Sequence, residues 1–566
     1  MKNKVFALSL LVSVISSPQS GFAQNDEAKV FLPPYKMLER PFCKADQSLF
    51  ANPPSVFYPE IWVECLNGNL SKEGILADLE AIHEAGFSGV QMFFGNQGGA
   101  WPGVKQISCL SSEWEEFVAY AAQEAGRLGL RFTLQNCPGW AMAGGPWIKP
   151  EQAMRHLVWS KTLAHSGDEV TLPLPEGTGE PWRDYHDVMV MAFPTPLGET
   201  VGEIPYKIEP GPINGLAITT ADKPHVFHIT TESDEPVRTV EFTGVQYTNH
   251  WFCYDPGIHG KLEALYPDGS AQTLFDTDWP QSNWQDDRPL SLACQEVSPT
   301  RHYRLTIANT HIDAGITSFR LFAHARKNGW ESEAGWCLRS ILRNNSPINQ
   351  NPESWVNEVK DLTANMDANG HLNVTLPEGD WTILRIGHVN TGKKNAPAPP
   401  EATGFECNKF DTVGADSHFA GYVGKLADGI LNGRLDGMLL DSWECETQTW
   451  TAAMEQEFAR VAGYELRPWM PALMGYVVKD PETTARFLRD WRATINDLVV
   501  NKFYRRMAEL GHQKGLTVTY ETACGDVFPA DIMEYFKYAD IPMCEFWVHE
   551  PEVFVKKELI LLQRLL

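Results

Sequence analysis

The chain has 566 residues, enough for three or four domains of ordinary size. Acidic residues outnumber basic ones by 72 to 47, and the formal net charge is −25. Because this charge repels phosphate backbones, nucleic acid is disfavoured as a partner. With 43% hydrophobic and 21% charged residues, the composition is that of a globular protein and excludes extensive disorder.

The N-terminus has the pattern of a secretory signal peptide. Lys2 and Lys4 precede an apolar run over residues 5–15, which is too short to span a bilayer. Small residues around Ala23 indicate cleavage there, so residues 1–23 are the predicted signal peptide. No later stretch is long and apolar enough to cross a membrane. We therefore expect a soluble, exported protein, either periplasmic or secreted, with no membrane span.

Strands and helices alternate over residues 24–155, the first predicted part of a catalytic barrel. Ser71 and a capping box that starts at Ser112 mark the beginnings of two helices. Strands are predicted at residues 61–64, 89–94 and 131–136. Strand–helix–strand spacing of this kind is typical of parallel pairing.

Residues 156–400 change in character, because short runs of alternating polarity replace the helices. This pattern predicts an antiparallel β-sandwich insert. Its predicted strands cover residues 170–174, 188–192, 226–231, 238–242, 261–265, 302–307, 318–323 and 381–386. Residues 393–400, rich in proline, are the predicted exit linker.

The α/β pattern returns over residues 401–553, the second predicted part of the barrel. Helices are predicted at residues 416–432, 484–510 and 529–538, and strands at residues 437–441, 516–521 and 541–546. Together the two parts supply six parallel strands. The simplest fold that accommodates these six strands is an incomplete (β/α)8-type barrel interrupted by the sandwich insert.

Two strands are missing from such a barrel, and residues 554–566 form an apolar tail that fits no element of the pattern. An open barrel edge favours aggregation. We therefore expect the chain to be truncated relative to a working enzyme, with an aberrant C-terminal tail. The alternative is a complete six-stranded variant.

Carboxylates follow several predicted strands, at the end where parallel barrels carry their active sites. Glu444 follows a tryptophan and Glu545 precedes the pair Phe546 and Trp547; the two glutamates are the predicted catalytic pair, since glycoside hydrolysis needs two carboxylates. The predicted substrate-binding residues follow the same strands: Asn136, Trp140, Asp441, Trp443, Glu521, Trp547 and His549. Each carboxylate has a structural alternative; Asp441, for example, is equally suited to capping the turn after its strand.

Several short blocks resemble glycoside hydrolase family 106, the exported bacterial α-L-rhamnosidases. They lie at residues 66–75, 136–140, 144–148, 441–444 and 545–547, in the family's order. The resemblance runs from about Pro54 to Glu552 and implies a β insert between two barrel halves. It also implies inverting cleavage of terminal α-L-rhamnose from plant polysaccharides or glycosides, with Glu444 and Glu545 as acid and base in either order. Calcium is the implied cofactor, with unassigned ligands.

The sequence departs from the family pattern in three places. Glu64 and Cys65 stand where an aromatic or histidine pair is expected, and Gln135 stands where histidine is common. Family members are also much longer. Two further functions therefore stay open: a non-catalytic carbohydrate-binding protein, and an inactive truncated fragment.

Overall fold

A computed structural model describes residues 43–54, 57–218, 224–243, 246–247, 258–280, 288–309, 314–339, 351–522 and 529–544. The fold is a mixed α/β structure with several sheets. One sheet is parallel and has six strands, and the described antiparallel strands form four smaller sheets. Within these residues no helix is both long enough and apolar enough to cross a membrane.

The first α/β part contains three helices and three strands. In chain order they are α1 (Lys44–Ala51), β1 (Glu60–Leu66), α2 (Lys72–Glu84), β2 (Gly89–Gly95), α3 (Ser112–Arg127) and β3 (Arg131–Gln135). The predicted cap of α2 is confirmed, since Ser71 Oγ accepts from Gly74 N at 2.9 Å. The predicted cap of α3 is wrong by one residue: Ser111 Oγ accepts from Trp114 N at 3.2 Å, and Ser112 is the first helical residue.

The antiparallel region supplies the next fifteen described strands and one short helix. They are β4 (Arg155–His165), β5 (His186–Pro194), β6 (Tyr206–Glu209), β7 (Leu216–Ile218), β8 (His225–Thr231), β9 (Thr239–Thr243), β10 (Gln246–Tyr247), β11 (Ile258–Leu265), β12 (Ala271–Asp278), β13 (Leu290–Ala293), β14 (His302–Asn309), β15 (Ala314–Ile316), β16 (Ser318–Phe322), α4 (Trp330–Glu333), β17 (Lys360–Asp361) and β18 (Asp380–Asn390). The strand predicted at residues 170–174 is wrong, because only Thr171 forms a bridge there, to His371.

The second α/β part completes the described chain. Its elements are α5 (Thr412–Gly421), α6 (Val423–Asp428), β19 (Gly437–Leu440), α7 (Met454–Ala462), α8 (Pro481–Leu498), a π-helical turn (Val499–Tyr504), α9 (Arg505–Gln513), β20 (Thr517–Thr522), α10 (Ile532–Phe536) and β21 (Ile541–Cys544).

Two helices differ from their predicted bounds for packing reasons. The helix expected at residues 416–432 breaks at Tyr422, whose ring stacks on Trp147 with centroids 5.4 Å apart. The helix expected to end at Gly511 continues to Gln513. Gly511 is needed there because a Cβ would lie 2.8 Å from Val518 on β20. The glycine therefore permits close packing of helix on strand and does not terminate the helix.

The six parallel strands form one sheet in the order β1-β2-β3-β19-β20-β21. Each strand pairs in parallel with its neighbour in that order. The first three precede the antiparallel region and the last three follow it, so the seam lies between β3 and β19. Because all six run in one direction, their carboxyl ends lie along a single edge of the sheet.

The antiparallel strands enclose an apolar core of their own. A five-stranded sheet, β12-β11-β14-β8-β6, and a three-stranded sheet, β13-β9-β16, both contribute to it. Leu262 and Leu305 enter this core from the first sheet, and Val240, Leu292 and Leu321 enter it from the second. Two sheets with alternating inward residues thus share one core, which is separate from the core of the parallel sheet.

The four-stranded sheet, β17-β5-β18-β4, connects this region to the α/β part. Successive residues of β18 point to opposite faces. Trp381 and Ile383 pack into a small cluster on one face, whereas Leu384 and Ile386 join the main core of the molecule on the other. The central strand β18 is thus buried on both faces.

The predicted exit linker at residues 393–400 packs against the rest of the protein, and only part of it is exposed. Asn395 is buried, and its Nδ2 donates to Pro138 O at 2.8 Å and to Ala402 O at 3.1 Å. Asn96 N, just after β2, donates to Pro397 O at 3.0 Å. This segment therefore braces the loops that leave β2 and β3.

Candidate functional site

Three predicted site residues lie where neighbouring parallel strands end. Leu439 on β19 is in register with Gln135 on β3, and Leu440 is in register with Tyr520 on β20. The residues at this level, Asn136, Asp441 and Glu521, expose only 1%, 2% and 1% of their surface. The structure thus brings two of the predicted residues, Asp441 and Glu521, to the same face of the sheet, whereas the side chain of Asn136 lies on the other face and donates from Nδ2 to Met142 O at 2.9 Å.

Asp441 joins two of these strand ends. One carboxylate oxygen accepts from Gln135 Nε2, and the other accepts from Ser442 N at 2.7 Å. The second bond is the turn cap considered as a structural alternative, and the first ties β19 to β3. Gln135 and Asn136 each keep a buried amide oxygen that has no hydrogen-bond partner within the described residues.

Glu444 is half-buried at the start of the loop after β19. Ser442 Oγ donates to Glu444 Oε1 at 3.3 Å, which orients the carboxyl group toward the end of its own strand. The neighbouring Trp443 is buried; its indole Nε1 donates to Glu446 O at 2.6 Å. The ring of Trp443 faces the ammonium of Lys409 at 5.4 Å, so a cation already occupies one face of this predicted sugar-binding residue.

A buried ion pair lies beneath this loop, and sequence reasoning did not find it. Lys409 and Glu406 are both fully buried, and Lys409 Nζ donates to Glu406 Oε2 at 2.7 Å. The same carboxylate oxygen accepts from Ala143 N at 2.9 Å, in the loop after β3. Burial opposes the charge of Lys409, but the surrounding acidic groups raise its pKa overall, so the ammonium stays charged. The pair links the loops after β3 and β19.

His418 on α5 contacts Asn136, at the end of β3, from the helix side. Trp147 Nε1 donates to its Nδ1 at 3.2 Å, and an indole N–H only donates, so the imidazole proton lies on Nε2. Nε2 then donates to Asn136 O at 3.1 Å. Burial, reinforced by the charge of Lys409, lowers the pKa of His418 to about 3. A neutral imidazole thus anchors the backbone of Asn136.

His418 should lower the free energy of unfolding at acidic pH. Between pH 6.5 and about 3 the unfolded chain binds a proton at this histidine that the folded chain does not, so stability is lost as pH falls through that window. Between pH 7 and pH 5 we expect His418 to contribute a loss of about 2 kcal/mol. Urea unfolding of the wild type and of His418→Gln at both pH values measures it. Equal pH dependence in the two proteins would contradict the assignment.

Of the four remaining predicted residues, Trp140 is the one that the structure describes. Trp140 is half-buried and stacks on Phe93 with centroids 5.6 Å apart, and Phe93 in turn stacks on Trp62 at 6.3 Å. Glu545, Trp547 and His549 lie outside the described residues.

The sequence contains only a weak indication that Glu406 and Lys409 are buried. Glu406 and Lys409 lie within residues 405–410, a stretch that begins and ends with phenylalanine and contains a cysteine. Charges embedded in such a stretch indicate burial, but only the folded chain shows that they pair. His418 gave no signal, because a single histidine on a helix is usually a packing residue.

Comparison with known proteins identifies the family of the chain. The family model for α-L-rhamnosidases, glycoside hydrolase family 106, matches residues 51–560. A solved structure, the rhamnosidase from Novosphingobium sp. PP1Y, matches with a TM-score of 0.71 at 27% identity, over 89% of this chain and 50% of that one. A protein of Formosa agariphila named "Putative beta-glucuronidase" is 28% identical over 506 residues, which are 88% of this chain and 32% of the relative.

This chain therefore spans about half the length of the solved rhamnosidase and about a third of the Formosa protein. The family model nevertheless covers most of the chain in one uninterrupted match. The protein belongs to glycoside hydrolase family 106, the α-L-rhamnosidase family.

Proposed function

We propose that the protein is an exported glycosidase that removes terminal α-L-rhamnosyl residues from plant polysaccharides or glycosides. The observation that carries the proposal is the pair of buried carboxyl groups of Asp441 and Glu521 at the carboxyl ends of β19 and β20, with Gln135 at the end of β3 bonded to Asp441. Buried acceptors on rigid strands suit the hydroxyl groups of a sugar ring. Membership of the rhamnosidase family supports the choice of sugar.

In this proposal Glu444 and Glu545 are the paired glutamates of the reaction. One carboxylic acid protonates the leaving oxygen, and the other carboxylate activates the attacking water. Glu444 is half-buried and oriented by Ser442, which supports a role at the reacting bond. Asp441 and Glu521 then hold the sugar hydroxyls, while Asn136, Trp140, Trp443, Trp547 and His549 complete the surroundings of the ring.

The domain architecture is part of the proposal. The six parallel strands would be the strands of a (β/α)8-type barrel, formed by residues 24–155 and 401–553. Residues 156–400 would be the β-sandwich insert, and residues 1–23 the signal peptide that directs the protein to the periplasm or medium. The separate core shared by the five-stranded and three-stranded sheets supports the sandwich.

Calcium is the metal we propose, as the family implies. Within the described residues no group of three or more His, Cys, Asp or Glu side chains is placed to hold a metal ion, so these residues alone do not form the site. Calcium also binds amide oxygens, and the buried oxygens of Gln135 and Asn136 are of that kind. We assign no step of the reaction to the ion.

A neutral sugar fits the described charges better than a glucuronide, the substrate suggested by the name of the Formosa protein. Recognition of a carboxylate requires a cation at the site. Lys409, the cation against Trp443, is fully buried and already paired with Glu406. It is therefore not available to a second carboxylate.

The test is an assay of the full chain with aryl α-L-rhamnoside and aryl β-D-glucuronide, each with calcium and with EDTA. We expect release of the aryl group from the rhamnoside with calcium, and its loss with EDTA. Turnover of the glucuronide alone would reject the substrate. Binding of rhamnose without turnover of either glycoside would favour a carbohydrate-binding protein. Unchanged rates in EDTA would remove calcium from the proposal.

A further inference from the structure

Gln135 is a buried glutamine at the carboxyl end of β3, and only one end of its amide is bonded. Its Nε2 donates to Asp441 Oδ2, just after the neighbouring strand β19. An ionised carboxylate only accepts, so the amide nitrogen faces Asp441 and Oε1 faces away from it. Gln135 exposes 2% of its surface, yet Oε1 has no hydrogen-bond partner within the described residues. A buried acceptor without a donor costs free energy, and a ligand that brings a donor recovers that cost.

The side chain of Gln135 lies on the same face of the parallel sheet as the two buried carboxyl groups. Gln135 pairs with Leu439, and Asp441 follows two residues later, so the side chains of Gln135 and Asp441 point to one face. Glu521 is level with Asp441 on the next strand, β20, and points the same way. The unbonded oxygen therefore belongs to the face on which the proposed sugar binds.

An aromatic pair adjoins Gln135 on the side away from Asp441. Strands β2 and β3 pair as far as residues 92 and 134, so the residues that follow, Phe93 and Gln135, both turn to the face of the carboxyl groups. The half-buried ring of Trp140 stacks on Phe93 with centroids 5.6 Å apart, which places the indole on that face as well. In strand order Gln135 thus lies between an aromatic surface and a carboxyl group, the combination that a sugar ring requires.

The chemistry of the unbonded oxygen selects its ligand. An amide oxygen only accepts, and a sugar hydroxyl is a suitable donor. Calcium takes about six to eight oxygen ligands, whereas the neighbours of Gln135 at its own level, Phe93 and Leu439, have no side-chain oxygen. We propose that Gln135 is a substrate-binding residue that selects the sugar: Nε2 positions Asp441, and Oε1 accepts a hydrogen bond from one ring hydroxyl. This inference rests on the proposed function.

The test is a double-mutant cycle between Gln135 and the hydroxyls of the sugar. The substrates are aryl α-L-rhamnoside and the three analogues that each lack one ring hydroxyl. Gln135→Met removes both polar ends of the side chain at nearly constant size. In the wild type we expect kcat/KM to fall about tenfold for the analogue that lacks the bonded hydroxyl. In Gln135→Met this penalty should shrink to within about twofold, while the penalties for the other two analogues stay unchanged.

Two further variants separate a bond to the sugar from a general effect on folding. Gln91→Met is the matched control, because Gln91 is a buried glutamine on the same face and both ends of its amide are bonded. Its Oε1 accepts from Trp62 Nε1 at 2.6 Å, and its Nε2 donates to Glu60 Oε2 at 3.2 Å. Gln91→Met should lower stability and leave the penalties of all three analogues unchanged. Gln135→Glu keeps an acceptor oxygen, so the same analogue should remain disfavoured by about tenfold.

Equal penalties in the wild type and Gln135→Met for every analogue would overturn the assignment. Recovery of Gln135→Met activity by excess calcium would also overturn it, because Oε1 would then be a ligand of the metal. Calorimetric titration with rhamnose and its analogues separates this result from the proposed function. If the penalty appears in binding but no glycoside is cleaved, the assignment stands and the hydrolase proposal fails. If the wild type and Gln135→Met bind rhamnose equally, or neither binds it, the assignment is wrong whatever the enzymatic result.

Discussion

Replacing Lys409 with methionine is expected to lower the free energy of unfolding by about 3–5 kcal/mol. The substitution leaves the fully buried carboxylate of Glu406 without its cation. Within the described part of the chain, the remaining donor to that carboxylate is Ala143 N, at 2.9 Å. A buried, uncompensated charge is among the most destabilising changes in a protein interior. Urea unfolding at pH 7 measures the change.

Two further variants make this result specific. Lys425→Met removes an exposed lysine that lies 3.3 Å from Glu115, and it should cost less than about 1 kcal/mol. The double variant Glu406→Gln/Lys409→Met should recover part of the loss, because it removes both charges together. If Lys409→Met were as mild as Lys425→Met, the buried pair would not bear on stability.

Glu444→Gln is expected to reduce kcat for aryl α-L-rhamnoside by about 10²–10⁴-fold, the usual contribution of a general acid or base. The change keeps the size of the side chain and its capacity to accept from Ser442 Oγ, but it removes the ionisable carboxyl group that gives or takes the proton. Binding of the sugar should persist, so KM should change much less than kcat. Steady-state kinetics together with circular dichroism measure both activity and folding.

Glu446→Gln is the matched control for this experiment. Glu446 lies on the same loop, two residues further on, and its Oε1 accepts from Lys393 Nζ at 2.9 Å. We expect its kcat to stay within a few-fold of the wild type, because a partly exposed ion pair contributes little. Equal losses in the two variants would show that the loop, and not the carboxyl group of Glu444, governs the rate.

The parallel strands could be predicted because each combines an apolar run with clear boundary residues. Ser71 marks the start of α2 as expected, and Asp441 and Glu521 could be placed at one edge from the direction of their strands alone. The cap of α3 was misplaced because Ser111 and Ser112 are adjacent and chemically identical. The end of α9 was misplaced because Gly511 serves packing against Val518.

The charge states of the buried residues that support the site could not be predicted from the sequence, for a different reason. Lys409 and His418 acquire their states from tertiary surroundings: one stays charged because Glu406 lies beside it, and the other stays neutral because it is buried near that same charge. Local sequence contains neither fact. The catalytic pairing of Glu444 with Glu545 stays a prediction, because Glu545 lies outside the described residues.

The seam between β3 and β19 sets the order in which the chain can be assembled. Gly437 pairs with Thr133, and Phe132 N donates to Asp436 Oδ2 at 2.8 Å, across about three hundred residues of intervening chain. At roughly 5–20 residues per second, a ribosome needs about 15–60 s to deliver the partner of β3. During that interval the nascent N-terminal half carries an unpaired strand edge. A holding chaperone or rapid translocation would have its greatest benefit at this stage of synthesis.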